Sequence, residues 1–192
     1  MRINRVSTIV QESVRVHQQI LKDRTLQEDI AKIASVIVKS FRAGKKVLLC
    51  GNGGSAADAQ HIAAELSGKF MLNRPPLFAE ALHVNTSYLT ATANDYSFEE
   101  IYSRLITAQG EKDDILIGIS TSGNSLNVVK ALMKARKKQM LTIGMTGKKK
   151  SKTDDYCDYL IKIPSENTAR IQEAHILIGH VICEVVENAL FG

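Results

Sequence analysis

Five short apolar runs, each followed by helical or loop sequence, constrain this chain most: Lys45 to Gly51, Leu77 to Val84, Asp114 to Ser120, Met140 to Met145 and Tyr159 to Pro164. Runs of this length read as strands. Strands alternating with helical stretches require right-handed crossovers, hence a parallel sheet covered on both faces. The expectation is an α/β fold, a three-layer αβα sandwich with a five-stranded parallel sheet. Such sheets take ligands beyond the carboxyl ends of their strands, where helix N-termini offer free amides. Chemistry is therefore sought after each strand.

Residues 1–44 precede the sheet and differ from it. Val6, Ile9, Val10, Val16 and Ile20 form one apolar stripe, and Leu26, Ile30, Ile33, Ala34, Ile37, Val38 and Phe41 form a fuller one. Thr25 and Glu28 have capping-box spacing, so a second helix is expected to begin there. The pair reads as an N-terminal antiparallel helical hairpin. One helix can pack on the sheet; the other lacks a partner within the chain, which points to a homo-oligomer. The 192 residues make one domain, residues 1–44 forming the oligomerisation hairpin and 45–192 the sandwich core.

Composition excludes little but helps. Apolar content of 44% and charged content of 23% are those of a globular protein. No run suits a membrane span, and the first 20 residues lack the apolar centre of a secretory signal, so a cytoplasmic location is expected. Cys50, Cys157 and Cys183 are too scattered for a disulfide framework or a zinc ribbon and read as buried free thiols. The net charge of +5 suits anionic metabolites as well as nucleic acid. The basic clusters Lys134 to Lys138 and Lys148 to Lys152 carry no interleaved aromatics on which bases could stack, and read as solvated faces.

Two loops have the chemistry of phosphate cradles. After the third run comes Ser120-Thr121-Ser122-Gly123-Asn124-Ser125, leading into a helix marked by Val128, Val129, Leu132 and Ala135. Hydroxyls donate to phosphate oxygens, glycine exposes amides, and the helix dipole favours the anion. An ordinary capped turn would use the same residue types. The loop Gly51-Asn52-Gly53-Gly54-Ser55-Ala56 fits the loose dinucleotide pattern GxGxxA. Its acidic partner could only be Glu80, too early in its run, and no P-loop lysine is present.

The helix opened by that second loop carries His61 and Glu65, four apart on one face, able to share a metal ion, a proton network or a plain surface ion pair. The last long helix, from about Thr168, places Gln172, Ile176 and His180 in a drifting row. Gln172 and His180 stand roughly 12 Å apart along its axis. They reach one ion by leaning together, or they serve sites shared between subunits. His175 reads as a core histidine, a role open to His180 too.

Four blocks, GNGGSAADAQHIAAELSG (51–68), NDYSFEE (94–100), GISTSGNSLNVVKA (118–131) and ARIQEAHILIGH (169–180), together resemble the phosphoheptose isomerases of the sugar isomerase (SIS) family. The resemblance spans nearly the whole chain. It implies a homotetramer with active sites near subunit contacts, each with one divalent metal, usually zinc. It assigns His61, Glu65, Gln172 and His180 to the metal, and Ser55, Ser120, Thr121, Ser122 and Ser125 to phosphate. Asn52, Gly53, Gly54, Asn94 and Asp95 fall on the sugar, which Glu65 and Gln172 also face, and Glu65 with His180 forms the acid/base pair. The implied reaction converts sedoheptulose 7-phosphate to D-glycero-D-manno-heptose 7-phosphate through an enediolate, the first step toward nucleotide-activated heptose.

Three departures stand out: His83-Val84-Asn85 in place of a Thr/Asp-rich run, Leu105 at a commonly polar position, and Lys148-Lys149-Lys150 in a usually glycine-rich loop. Non-catalytic SIS relatives that bind the bacterial replication initiator lack the glutamate and final histidine that stand here as Glu65 and His180. Sugar-phosphate-sensing regulators carry an added DNA-binding module for which this chain has no room. An isomerase of another sugar phosphate is the remaining alternative.

Overall fold

The computed structural model describes residues 3–192. Seven helices and five strands follow in the order α1 (Ile3–Lys22), α2 (Arg24–Arg42), β1 (Val47–Gly51), α3 (Gly54–Ser67), β2 (Ala79–Ala81), α4 (Thr86–Asp95), α5 (Ile101–Gln109), β3 (Ile115–Ile119), α6 (Leu126–Lys137), β4 (Leu141–Gly147), β5 (Tyr159–Ile163) and α7 (Thr168–Phe191). The sheet is wholly parallel, in the order β2-β1-β3-β4-β5. The expected second strand shortens to Ala79–Ala81. It sits at the sheet edge, and the chain turns away at Leu82 to reach the Asn85 cap of α4.

Alternation along the strands sorts side chains into two cores. Val47, Leu49, Ile115, Ile117 and Ile119 face α2, α3 and α7, whereas Leu48, Cys50 and Leu116 face α5 and α6. Leu105 is partly buried in the second core, which accounts for an apolar residue there. Gly118 brings α6 close to β3: a Cβ there would lie 2.9 Å from Val128. Cys50 and Cys183 are buried and Cys157 half-buried, all as free thiols, and burial pushes Cys157 and Cys183 up to about 12.

The two helices expected before the sheet are present, joined at Asp23. The second starts ahead of the expected Thr25 box, because the Asp23 carboxylate accepts from Leu26 N at 3.0 Å and so caps it first. Their mutual packing is confined to the joint, where Gln27 Nε2 donates to Leu21 O at 2.7 Å. Otherwise they follow one another along α7. Arg170, at the start of α7, donates to Ile9 O of α1, and Arg42, at the end of α2, donates to Ala189 O at its other end. Val16 and Ile20 of α1 are buried, but Val6, Val10 and Val14 stay about half exposed. The helix α7 is apolar and long enough to cross a membrane by length and composition, yet its buried face packs on α2, α3 and the sheet.

Candidate active site

The glycine loop fixes the entry to α3. Gly53 turns with φ +54°, a conformation L side chains rarely adopt, and Gly54 then opens the helix beside α7. Contacts between the two helices advance in step. Gly54 faces Gln172, Ile62 faces Gly179, and His61 faces His180, so α3 and α7 run alongside in the same direction.

That register brings three of the four expected metal ligands together. His61 Nε2 lies 3.0 Å from Glu65 Oε1 and 3.5 Å from His180 Nε2, and the three ligand atoms fall within 4.8 Å of one another. Zinc holds ring nitrogens at about 2.0–2.1 Å, which on a tetrahedron separates two of them by roughly 3.4 Å. The observed 3.5 Å suits one ion. Two imidazoles and a carboxylate also form a donor set that leaves a fourth position open for substrate oxygen. The His180 ring is held by its neighbours: His61 meets it edge-on with centroids 4.9 Å apart, and Phe70 stacks on it at 5.7 Å. His61 is half exposed, so the cluster opens to the surface.

Gln172, the fourth, stands two turns before His180 on α7. Its amide packs against Gly54, where a Cβ would fall 2.8 Å from Cδ and 2.9 Å from Oε1. Asp58, one turn below Gly54 on the same face of α3, was not among the expected site residues. Burial pushes its carboxyl up to about 6 against the pull of His61, and its Oδ2 is buried without a hydrogen bond.

The serine loop is folded on itself. Ser120, buried at the end of β3, has its Oγ 3.0 Å from Ser125 Oγ and 3.5 Å from Ser122 Oγ, and accepts from Gly123 N at 3.1 Å. Gly123 has φ +64° and packs directly on Ser151, while Lys152 N donates to Asn124 Oδ1, so the loop after β4 braces it. Ser125 is the N-cap residue of α6; its hydroxyl makes no cap bond and pairs instead with Ser120 Oγ. Beside the loop lies a cleft of about 260 Å³ between Thr121 and Ser122 on one wall and Lys148, Lys149, Lys150 and Glu166 on the other. Lys149 and Lys148 hold the Glu166 carboxyl down at about 2.

The remaining expected residues are placed as follows. Asn52 exchanges two amide hydrogen bonds with buried Asn127, at 2.9 and 2.8 Å, tying the glycine loop to the start of α6. This leaves its backbone for a ligand. Ser55 is buried in the first turn of α3. Asn94 and Asp95 end α4, exposed and bonded to each other at 2.9 Å. The basic residues at the end of α6 tie it to its neighbours: Arg136 donates to Asp155 O and Lys138 to Thr107 O.

A wholly parallel sheet with hydroxyl-lined and glycine-lined loops at its carboxyl edge defines a phosphosugar-binding α/β domain. Residues 10–147 match the SIS domain family. The chain belongs to that family and, within it, to the phosphoheptose isomerases. It is 50% identical over 189 residues to the phosphoheptose isomerase of Clostridium acetobutylicum, covering 98% of this chain and 96% of that one. Among solved structures, phosphoheptose isomerase GmhA from Neisseria gonorrhoeae superimposes with TM-score 0.90 at 41% identity, over 96% of this chain and 98% of that one. A phosphoheptose isomerase from Francisella tularensis gives TM-score 0.93 at 34% identity, over 98% and 100%.

Proposed function

We propose that this chain isomerises sedoheptulose 7-phosphate to D-glycero-D-manno-heptose 7-phosphate in the cytoplasm, the entry step to nucleotide-activated heptose. The observation that carries the reading is the meeting of His61, Glu65 and His180 between α3 and α7 in a chain 50% identical to a phosphoheptose isomerase over nearly its full length. The hydroxyls of Ser55, Ser120, Thr121, Ser122 and Ser125 and the N-terminal end of α6 hold the phosphate, which fixes the far end of the sugar. The backbone of Asn52, Gly53 and Gly54, with Asn94 and Asp95, orients the hydroxyls between.

Interconversion moves one proton from C1 to C2 and another between the two oxygens. Glu65 takes the carbon-bound proton and returns it to the neighbouring carbon, while His180 transfers the proton between the oxygens. His61, Glu65 and His180, joined by Gln172, would hold one divalent ion, zinc by donor set. When bound, the ion polarises the carbonyl and stabilises negative charge on the enediolate oxygens. A carboxylate committed to a cation would be a weaker base, so Glu65 would have to be free of the ion to accept the proton, or the ion would be partly structural.

The half-exposed His61 and the exposed apolar side chains of α1 and α7, among them Val6, Val10, Val14, Val181 and Val185, support a homotetramer whose sites lie near subunit contacts. The decisive experiment incubates purified protein with sedoheptulose 7-phosphate, with zinc and with chelator, and follows aldose formation. Product that depends on metal is expected; no product under any metal condition overturns the reading. Light scattering at micromolar concentration checks the assembly, and a monomeric mass removes it.

A further inference from the structure

Two helical turns beyond His180, on the same face of α7, stands Glu187. Its side chain is only 1% exposed. The carboxylate accepts from the amides of Phe70, Met71 and Leu72 at 3.0, 2.7 and 2.9 Å and from Arg74 Nε at 2.8 Å. The same guanidinium donates onward to the carbonyls of Glu65 and Leu66, at 2.8 and 2.9 Å, in the last turn of α3. One buried ion pair thus joins three pieces: the helix that carries His180, the end of the helix that carries Glu65, and the segment that carries Phe70. Phe70 in turn stacks on the His180 ring, with planes 30° apart.

An imidazole that binds metal or moves protons is usually oriented by an acceptor on its second nitrogen. Among the described residues no protein group accepts from His180 Nδ1, and two rings lie against the imidazole, His61 edge-on and Phe70 stacked. Packing therefore does the work that a hydrogen bond does elsewhere. We infer that Arg74 and Glu187 form a latch that positions His180 through Phe70, and Glu65 through the end of α3. The latch touches no reacting atom; it sets the angle at which the two working side chains meet.

This inference rests on the isomerase reading of the site, and its test separates the two. Phe70→Leu removes the ring and leaves the latch intact; Phe70→Tyr keeps the ring; Glu187→Gln removes the charge at constant size. Four quantities are read for each variant and for the native protein: the melting curve, the ring-nitrogen NMR shifts of His180, zinc affinity by competition with a chromophoric chelator, and kcat and KM for sedoheptulose 7-phosphate. In Phe70→Leu the His180 shifts move, zinc affinity and kcat each fall roughly 10- to 100-fold, the range for lost orienting partners, and KM holds. Phe70→Tyr restores all of these. A folded Glu187→Gln repeats the Phe70→Leu pattern, and if it fails to fold the two Phe70 variants decide alone. Unchanged His180 shifts with zinc affinity within twofold in Phe70→Leu overturn the inference. If the native protein itself makes no aldose, the isomerase reading falls, while the shifts and zinc affinity still decide the latch.

Discussion

Replacing Gly54 with alanine tests whether the Gln172 amide belongs to the working site. The added Cβ would lie 2.8 Å from Gln172 Cδ, whereas carbon atoms in contact keep about 3.5–4.0 Å, so the amide must retreat by roughly 1 Å. The obstacle is the end of a flexible side chain, and moving it off its rotamer costs about 0.5–1.5 kcal/mol. Because Gly54 is the first residue of α3, alanine returns only part of the roughly 0.5–1 kcal/mol it would gain in a helix interior. The net change in stability is therefore within about 1 kcal/mol, or a few degrees of melting temperature for a domain of this size. The effect on rate is larger: a catalytic or binding group misplaced by about 1 Å costs on the order of 100-fold. The assay is kcat/KM for the heptose phosphate beside a melting curve, for Gly54→Ala, Gln172→Ala and the double variant. Because the first acts only by displacing the second, the double variant should be no slower than Gln172→Ala alone. A Gly54→Ala enzyme within twofold of native rate, or fully additive losses, refutes the reasoning.

Glu65→Gln should melt like the native protein yet lose about 10²- to 10⁴-fold in kcat, the usual share of a general base; near-native turnover would remove the residue from its role. Acid should destabilise the fold in two windows, read as melting temperature against pH. Desolvation lowers buried His175 to about 4, so its contribution is complete above 6.5 and lost as pH falls toward 4, and His175→Leu should flatten that part of the curve. Burial alone would raise Glu187, but the amides of residues 70–72 and Arg74 outweigh it and bring the carboxyl to about 2. Its contribution is thus present above 4.5 and lost as pH falls toward 2. Gly179→Ala should weaken zinc binding measured by chelator competition, because its Cβ would meet Ile62 Cδ1 at 2.5 Å, one residue from both His180 and His61; unchanged affinity would show that helix spacing does not set the cluster.

Local pattern carried the sheet and the nearest pair of ligands, and failed where distant segments decide. All five apolar runs became strands, because burial on both faces leaves a continuous apolar signature. The second was over-read because an edge strand needs fewer paired residues than its apolar run supplies. Thr25 and Glu28 had the right spacing for a cap, but Asp23 reached the free amides first. His61 and Glu65 were legible from their four-residue spacing, and the roughly 12 Å between Gln172 and His180 was readable from helix geometry. The resemblance alone tied these side chains to metal. Phe70, Arg74 and Asn127 were not legible. Their partners lie far away in sequence, Glu187 for the first two and Asn52 for the third, and no periodicity announces a contact of that kind.

The helix α7 explains why those distant contacts act together. Gln172, His180 and Glu187 are spaced eight and seven residues apart, so at about 100° per residue they stay within roughly 40° of one line along the helix. An adjoining face, with Ile171, Ile178, Ile182 and Val186, is locked into the core, and Cys183 is buried on the polar line itself. Rotation about the axis would expose that face, and sliding would drive Gly179 off Ile62. The helix therefore moves as one body or not at all. A single apolar face thus fixes three polar positions at once: the amide beside the glycine loop, the imidazole beside His61 and the carboxylate that holds residues 70–74. This also accounts for a sequence apolar enough to resemble a membrane span while carrying the most consequential polar residues of the chain.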